Sequence, residues 1–194
     1  LYGEMIGIFD DDPARQVILS FPPQARTRQI NYTFDCNGQT LEIVADREKL
    51  EIILFNLVSN ALKYTPAGGD VRLTIGEWHG AIEVRVTDSG PGIPAAAGDK
   101  IFDRFYQSPA VQAERRPKAG FGIGLFLARQ FAVAHKGSLT YSSREGAGTT
   151  FILQLPKGLD YSAAAPAEQI DHPGELFQEL LTAEAVVISP EAVE

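Results

Sequence analysis

Alternating apolar and polar residues mark several β-strands along the chain. The clearest alternation lies at 81–88, where Ile82, Val84 and Val86 face one way and polar residues face the other. Shorter alternations predict further strands at 30–34, 41–45, 71–75, 139–141 and 150–155. The segments 76–80 and 145–148 are predicted to join two pairs of these strands as hairpins. Half-polar strands in hairpins are typical of a mostly antiparallel sheet with one covered face.

Amphipathic helices are predicted to cover that face. One begins after Asp46, a favourable N-cap residue, and runs to about Tyr64, where the segment 65–69 (TPAGG) stops it. Its apolar stripe consists of Leu50, Ile53, Leu54, Leu57 and Ala61. A second helix begins in the glycines before Leu125 and ends at Lys136-Gly137, which we interpret as a basic last turn with a glycine cap.

These elements predict an α+β fold of two layers, a mostly antiparallel mixed sheet with helices on one face. An earlier helix is predicted between residues 13 and 30, interrupted at Pro22-Pro23. More than thirty residues separate the strand ending at Asp88 from the helix after Gly124. So long a connection is typical of a functional lid, and its polar middle at 107–119 is the predicted lid.

Length and composition fit one folded domain with an extension. The chain has 194 residues, 44% of them hydrophobic, which is enough for a core. Its net charge is −8, yet all 17 Lys and Arg residues precede residue 158, and eight acidic residues and no basic one follow. Residues 1–157 are therefore neutral overall, which disfavours a nucleic-acid partner. We predict a domain at 1–157, with its core at about 30–156, and an acidic linker or C-terminal extension at 158–194.

The single cysteine and the lengths of the apolar runs indicate the cellular compartment. Cys36 alone cannot form an internal disulfide, which favours a reducing compartment. No apolar run is long enough to cross a bilayer. Because the first residue is Leu1 rather than methionine, we expect a piece of a longer protein. From the cysteine and the apolar runs, we expect this piece to be cytoplasmic and to make no direct membrane contact. A membrane anchor elsewhere in the parent protein stays open.

Three polar residues share one face of the first long helix. Asn56, Asn60 and Lys63 are spaced at i, i+4 and i+7. Amides on a helix bound for the core cost free energy unless a partner satisfies them. That partner is either neighbouring backbone, which makes the residues structural, or a bound magnesium ion and phosphate, with Lys63 as the cation.

Two glycine-rich segments are candidates for ligand contact. The segment 88–93 (DSGPGI) offers a carboxylate that can accept from an amine, and glycines that let a ligand approach the backbone. The segment 120–124 (GFGIG) precedes a helix, whose N-terminus can bind an anion. Alone, the first also makes ordinary turns and the second also occurs in linkers. For the segment 120–124, a Rossmann or P-loop site is excluded, since no tight strand precedes it and Gly-Lys-Ser/Thr is absent.

Taken in order, these segments resemble the histidine kinase branch of the GHKL ATPase superfamily. Residues 46–66 (DREKLEIILFNLVSNALKYTP) resemble its N box and 88–94 (DSGPGIP) its G1 box. Residues 101–106 (IFDRFY) resemble the F box, 120–125 (GFGIGL) the G2 box and 146–151 (GAGTTF) the closing GT block. The likeness spans roughly residues 30–156. It implies the two-layer α+β fold of that family, with ATP and Mg²⁺ as cofactors.

The resemblance also implies a role for each matching residue at the phosphate end of ATP. Asn60 would coordinate magnesium, with Asn56 beside it. Lys63 would contact the phosphates, and Arg104 would reach the γ-phosphate when the lid closes.

At the adenine end, the resemblance implies that Asp88 accepts a hydrogen bond from the exocyclic amine and that Tyr64 lies against the base. The remaining residues of the implied nucleotide site are Gly90, Gly92 and Ile93 in the G1 box, Gly120, Gly122, Gly124 and Leu125 in the G2 box, and Thr149 in the GT block.

Asn56 separates the branches of the superfamily. In the hydrolytic relatives (gyrases, mismatch-repair ATPases and the large ATP-dependent chaperones) a glutamate at this position activates water. An amide cannot take a proton, so the implied nucleophile is a neutral histidine nitrogen. The implied partners are the phosphoacceptor histidine domain of the parent kinase and a response regulator receiver domain, in two-component signal transduction.

The acceptor histidine is expected outside this chain. His79, His135 and His172 all lack the Ser-His-Glu-Leu-Arg setting of the acceptor helix. We interpret His135 as a helix-end contact and His79 as a turn residue. Two other functions stay open: a scaffold that signals through contacts, and a serine kinase of the anti-sigma type.

Two charged regions keep alternative interpretations. Arg115, Arg116 and Lys118 either contact phosphate from the lid or are solvated loop charges. The tail either connects to a following domain or docks on this one as a helix, through Leu176, Phe177, Leu180 and Leu181.

Overall fold

The computed structural model describes residues 4–7, 18, 20–36, 41–107 and 122–157, and the structural statements that follow concern those residues. The strands are β1 (Glu4–Gly7), β2 (Asn31–Asp35), β3 (Glu42–Ala45), β4 (Asp70–Trp78), β5 (Ala81–Asp88), β6 (Ser138–Ser143) and β7 (Thr149–Pro156). The helices are α1 (Pro22–Thr27), α2 (Arg47–Tyr64) and α3 (Gly124–Ala134), with a 3₁₀ helix at Gly98–Phe102.

Five strands form the main sheet, in the order β2-β4-β5-β7-β6. All neighbours pair antiparallel except β2 and β4, which are parallel. The alternation predicted for β5 is present: Ile82, Val84 and Val86 are buried, whereas Arg85 and Thr87 are exposed. Helices α2 and α3 pack on each other and on the buried face. The predicted two-layer α+β fold is thereby confirmed.

Helix α2 begins as the sequence predicts. Asp46 is its N-cap, and the carboxylate Oδ1 accepts from the Lys49 backbone N–H at 3.1 Å. The predicted apolar stripe is wholly buried. Helix α2 is therefore the central core helix, and its polar face is fixed in position by the apolar one.

The two strands predicted at the start of the domain belong to different sheets. β2 joins the main sheet beside β4, whereas β3 pairs antiparallel with β1 in a separate two-stranded sheet. Alternation identifies a strand but not its partner, because pairing is decided by contacts far apart in the chain.

The link between β4 and β5 is shorter than the predicted segment 76–80. β4 runs on to Trp78, which pairs with Ala81, and the turn consists of His79 and Gly80 alone. Both turn residues have positive φ, 51° and 78°. This is the requirement of a two-residue hairpin turn that matches strand twist. The interpretation of His79 as a turn residue is confirmed, and the predicted strand end at residue 75 is wrong.

The helix predicted between residues 13 and 30 is interrupted at Pro22-Pro23, as expected: Ile18 and Ser20 are helical, and Pro22 and Pro23 then start a second helix. They occupy its first two positions, where the missing N–H groups need no intrahelical partner. Phe21, the residue before them, lies between this helix and the helical residues Ile18 and Ser20.

Helix α3 ends differently from the prediction. Its last turn contains no basic residue. Lys136, not Gly137, adopts the left-handed conformation, with φ 52°. The Lys136 N–H donates to Val133 O at 2.8 Å, and the Gly137 N–H to Ala132 O at 2.9 Å, which is a Schellman motif. Gly137 is needed for packing instead, because a Cβ there would lie 2.2 Å from Gln154 O.

His135 joins the end of α3 to the start of α2. Its side chain is fully buried, and Nε2 accepts from the Asp46 backbone N–H at 3.0 Å. Nδ1 lies 2.6 Å from Phe131 O, so the neutral ring donates there. The interpretation of His135 as a helix-end contact is confirmed. Burial lowers the pKa of His135 below its ordinary value, although the nearby Asp46 carboxylate opposes this.

Replacing His135 with glutamine is expected to lower stability at pH 7.5 by about 1–3 kcal/mol, because two buried hydrogen bonds are disturbed. The pH dependence should change as well. A histidine whose folded pKa is lowered stabilises the fold above about pH 6.5, and this contribution is lost as pH falls toward the folded pKa. Denaturant titrations from pH 7.5 to 5 should therefore give a flatter profile for His135→Gln than for the exposed control His79→Gln. Parallel profiles would contradict a buried neutral His135.

None of the helices in the described part of the chain is both long and apolar enough to cross a bilayer. Cys36 is a half-buried free thiol.

Candidate functional site

The polar face of α2 forms one wall of the candidate site. Asn56 is buried, and its Nδ2 donates to Ile52 O one turn earlier at 2.8 Å. One N–H of the Asn56 amide is therefore satisfied by neighbouring backbone, as the structural alternative predicts. Asn60, one turn further on, is half-buried and hydrogen-bonds to none of the described residues.

The glycine-rich segment before α3 lies directly against this wall. A Cβ at Gly124 would lie 2.2 Å from Asn56 Oδ1, so a larger residue there would have to displace the buried Asn56 amide. Gly122 has φ 70°, and its carbonyl accepts from the Phe105 N–H at 2.9 Å. The N box, the G2 box and the F box therefore meet at one place, beside the N-terminus of α3. Gly120 lies outside the described residues, as do 108–119 of the predicted lid.

Asp88 lies at the end of β5, with 8% of its surface exposed. Its Oδ1 accepts from the Gly90 N–H at 2.8 Å. Burial raises the pKa of Asp88 above its ordinary value, and backbone N–H groups of Gly90 and Thr149 partly offset this. A Cβ at Gly148 would lie 2.0 Å from Asp88 O, so the GT block packs tightly against this strand end.

The G1 box and the GT block hold each other in place. Gly92 has φ 74°, and a Cβ there would lie 2.2 Å from Arg144 O. The Ile93 N–H donates to Ser143 Oγ at 2.8 Å. Ser143 Oγ lies 2.9 Å from Thr149 Oγ1, and Thr149 pairs with Asp88 across the two strands. The predicted residues of the adenine end are thus brought together.

The end of α2 meets the G1 box. Lys63 Nζ lies 5.4 Å from the centre of the Tyr64 ring, whose residue is 40% exposed. The Tyr64 carbonyl oxygen lies 3.1 Å from where a Cβ of Gly90 would be. The last turn of α2, which carries Lys63 and Tyr64, therefore lies against the G1 box.

The side chain of Arg104 forms no hydrogen bond or ion pair with the other predicted residues, although the F box around it lies beside the G2 box. Arg104 is exposed, and its guanidinium carbon lies 4.9 Å from the centre of the Phe105 ring. It makes no hydrogen bond or ion pair within the described residues. Leu125 is half-buried in the first turn of α3 and packs on the core.

Sequence reasoning missed two residues of the site. Ser143 connects Ile93, Gly148 and Thr149 through its hydroxyl. Arg28 donates to the Leu62 and Lys63 carbonyls at the end of α2. Neither residue lies in a recognisable block, and both act on partners far away in the chain, so no local signal marked them.

The arrangement suits a ligand with an amine at one end and anionic oxygens at the other. The buried Asp88 carboxylate can accept from an amine, and the glycines beside it let neighbouring backbone pack closely around this strand end. The N-terminus of α3, the Asn60 amide and Lys63 can receive anionic oxygens. The described residues contain no group of three His, Cys, Asp or Glu side chains that could hold a metal by themselves.

Known families match the chain over most of its described residues. The sequence profile of the family described as histidine kinase-, DNA gyrase B- and HSP90-like ATPase matches residues 45–159. Histidine protein kinase DivJ of Caulobacter vibrioides is 44% identical over 159 residues, which is 77% of this chain and 25% of DivJ. The chain spans 11% to 36% of the length of three curated relatives.

Solved structures share the fold. The catalytic domain of histidine kinase ThkA is 30% identical with a TM-score of 0.64, over 74% of this chain and 91% of that domain. Full-length ShkA in complex with AMPPNP is 29% identical with a TM-score of 0.68, over 86% of this chain and 33% of ShkA. ThkA in complex with the response regulator TrrA is 28% identical with a TM-score of 0.63, over 80% of this chain and 42% of ThkA.

The resemblance inferred from the five sequence blocks is thereby confirmed. This chain belongs to the histidine kinase-, DNA gyrase B- and HSP90-like ATPase family, as the ATP-binding catalytic domain of a sensor histidine kinase.

Proposed function

We propose that this domain binds Mg-ATP and transfers its γ-phosphoryl group to a histidine on a separate dimerisation and phosphoacceptor domain. The observation that supports this most is the packing of Gly124 against Asn56. It brings the N-box amides directly beside a glycine-led helix N-terminus, which is the combination a metal-bound phosphate chain requires.

We propose that Asp88 recognises the adenine base. Its carboxylate is buried yet accepts only backbone donors among the described residues, and so it can also accept from the adenine amine. Gly90, Gly92, Ile93 and Thr149 enclose that position. Tyr64, which is partly exposed, would lie against the base.

Asn60 fits the requirements of a magnesium ligand. Magnesium takes oxygen ligands, and proteins often hold it with few side chains together with phosphates and water. The half-buried Asn60 amide oxygen is available, since no described residue bonds to it. Asn56 would support it through Oδ1. When bound, the ion neutralises charge on the phosphates.

The remaining proposed phosphate contacts are cationic or backbone groups. Lys63 would contact the phosphates from the end of α2. Gly120, Gly122, Gly124 and Leu125 would offer backbone N–H groups at the start of α3. Arg104 would have to turn away from Phe105 to reach the γ-phosphate.

We expect water to be a poor nucleophile in this site, because the glutamate that activates it in the hydrolytic relatives is replaced here. Asn56 occupies the position of the hydrolytic glutamate, and its Nδ2 is committed to Ile52 O. The purified domain is therefore expected to bind an ATP analogue in a magnesium-dependent way, yet to release phosphate very slowly. Asn56→Glu is the variant that could raise hydrolysis. Calorimetry with AMPPNP and a phosphate-release assay check both points. Failure to bind would favour a scaffold, and rapid phosphate release would favour the hydrolytic branch.

The proposed partners follow from the relatives. ThkA is solved in complex with a response regulator, TrrA, and we propose a receiver domain of that class as the final phosphate acceptor here. We place the domain in the cytoplasm, where ATP is available, and propose no nucleic-acid partner, because residues 1–157 carry no excess of basic charge.

We propose that the catalytic domain ends near Lys157. Lys157 Nζ pairs with Glu77 at 2.6 Å, which ties the end of β7 to the β4–β5 hairpin. Every proposed site residue precedes residue 150. Truncation after Lys157 is expected to leave ATP affinity within about twofold, less than the loss of one hydrogen bond. Lost binding or folding in the truncated chain would show that residues 158–194 belong to the domain.

A further inference from the structure

We infer that Arg28 is a positioning residue for nucleotide binding, which acts by fixing the end of α2 that carries Lys63 and Tyr64. This inference rests on the proposed roles of those two residues. Arg28 follows α1, outside all five sequence blocks and 17 residues before the family match begins at residue 45. Its contacts nevertheless lead directly to the site.

The last carbonyls of a helix have no intrahelical partner and need another donor. At the end of α2, Ala61 O accepts from both the N–H and the hydroxyl of Thr65, at 3.1 and 2.7 Å. The next carbonyl, of Leu62, would ordinarily accept from residue 66, but Pro66 has no N–H.

Arg28 supplies the missing donors. One terminal nitrogen of its guanidinium donates to Leu62 O, and the other donates to Lys63 O at 3.0 Å. The planar fork of an arginine holds two adjacent acceptors with two separate nitrogens in a fixed geometry, whereas the donors of a lysine all lie on one nitrogen. Its positive charge also suits the negative end of the helix dipole. Arg28 forms no ion pair with a described carboxylate, so these carbonyls are the acceptors that fix it.

The neighbouring backbone strengthens the same junction. The Gly68 N–H donates to Gln29 O at 2.8 Å, and the Asn31 N–H donates to Gly69 O at 2.9 Å. On the other side, the Tyr64 carbonyl packs against Gly90 of the G1 box. The end of α2 is therefore held between the segment 28–31 and the G1 box. Releasing Arg28 would leave Lys63 and Tyr64 on a frayed last turn.

The test compares Arg28→Met with Arg26→Met. Arg26 is two residues earlier and exposed, and its side chain forms no hydrogen bond or ion pair with a described residue, so it controls for the loss of one positive charge. Calorimetry with Mg-AMPPNP is expected to show affinity reduced roughly tenfold in Arg28→Met and unchanged in Arg26→Met. Equal affinity in both folded variants would overturn the inference. If wild type itself does not bind, the proposed function fails instead.

Two further measurements separate positioning from general stability. In a double-mutant cycle, Arg28→Met added to Lys63→Met should cost clearly less affinity than Arg28→Met alone, because Arg28 acts through the last turn. Full additivity would overturn the inference. Arg28→Lys keeps the charge and most of the stem, and it serves if Arg28→Met does not fold. Because lysine lacks the fixed fork that places one nitrogen at each carbonyl, the Arg28→Lys variant should bind the analogue several-fold more weakly, and unchanged affinity would count against the role of the fork.

Discussion

Replacing Asn60 with alanine or aspartate is expected to abolish γ-phosphoryl transfer to a supplied acceptor domain while the fold is kept. The side chain is half-buried and hydrogen-bonds to none of the described residues, so its loss leaves no buried partner unsatisfied. If Asn60 is the protein's ligand for magnesium, alanine removes that ligand, and aspartate places a further negative charge beside the phosphates. In both variants the charge of the phosphates is no longer neutralised in the correct way. We expect the rate of phosphoryl transfer to fall by at least about a hundredfold. Rates of acceptor labelling, with circular dichroism as the check on folding, measure the effect.

The matched control for this change is Asn31→Ala. Asn31 is an exposed amide at the start of β2, bonded to Asp70 at 2.8 Å and outside the site. Its removal should leave transfer near the wild-type rate. Near-normal transfer by a folded Asn60→Ala variant would show that Asn60 has only a structural role.

Replacing Asp88 with asparagine is expected to weaken ATP binding by roughly 1.5–3 kcal/mol, which is the loss of a hydrogen bond to a charged acceptor. The amide has nearly the same shape and can still accept from the Gly90 N–H through its oxygen. Its NH₂ group, however, would face the adenine amine, donor against donor. Calorimetry on Asp88→Asn, with the exposed Asp99→Asn as the control, measures the difference.

The same substitution should not reduce stability at neutral pH. Burial raises the folded pKa of Asp88, so keeping its carboxylate ionised costs stability, and this cost appears as pH rises through the folded pKa. Asparagine removes the cost. Asp88→Asn should therefore bind ATP more weakly while unfolding at the same or a higher temperature. Unchanged affinity in the folded variant would contradict the proposed adenine contact.

Much of the fold could be predicted because it is encoded locally. Asp46 caps α2 through a contact with a residue only three positions away, and the stripe of α2 repeats with the helical period. The partners of β2 and β3 could not be predicted, since neither alternation nor turn residues specify them. The strand predicted at 71–75 is too short, because a glycine such as Gly76 is typical of a turn. The chain instead turns at His79 and Gly80.

The candidate site also contains residues that the local sequence identifies and residues that it does not. Asp88 and its glycines form one continuous segment, and so the sequence identifies them. Arg28 acts on carbonyls 34 and 35 residues away, and His135 accepts from a backbone group 89 residues away. Such long-range contacts produce no periodic pattern in the sequence. For His135 the sequence indicated a helix-end contact but not its partner, and for Lys136 it gave no sign of left-handed backbone.

The most direct test of the proposed histidine kinase activity is transfer of labelled γ-phosphate from Mg-ATP to a separately supplied phosphoacceptor domain of the parent kinase. The proposed function predicts acid-labile label on the acceptor histidine, dependent on this chain and on magnesium, with no label on the chain itself. Rapid release of inorganic phosphate without labelling of the acceptor would contradict it. So would phosphate on His79, His135 or His172, because the acceptor would then lie within this chain.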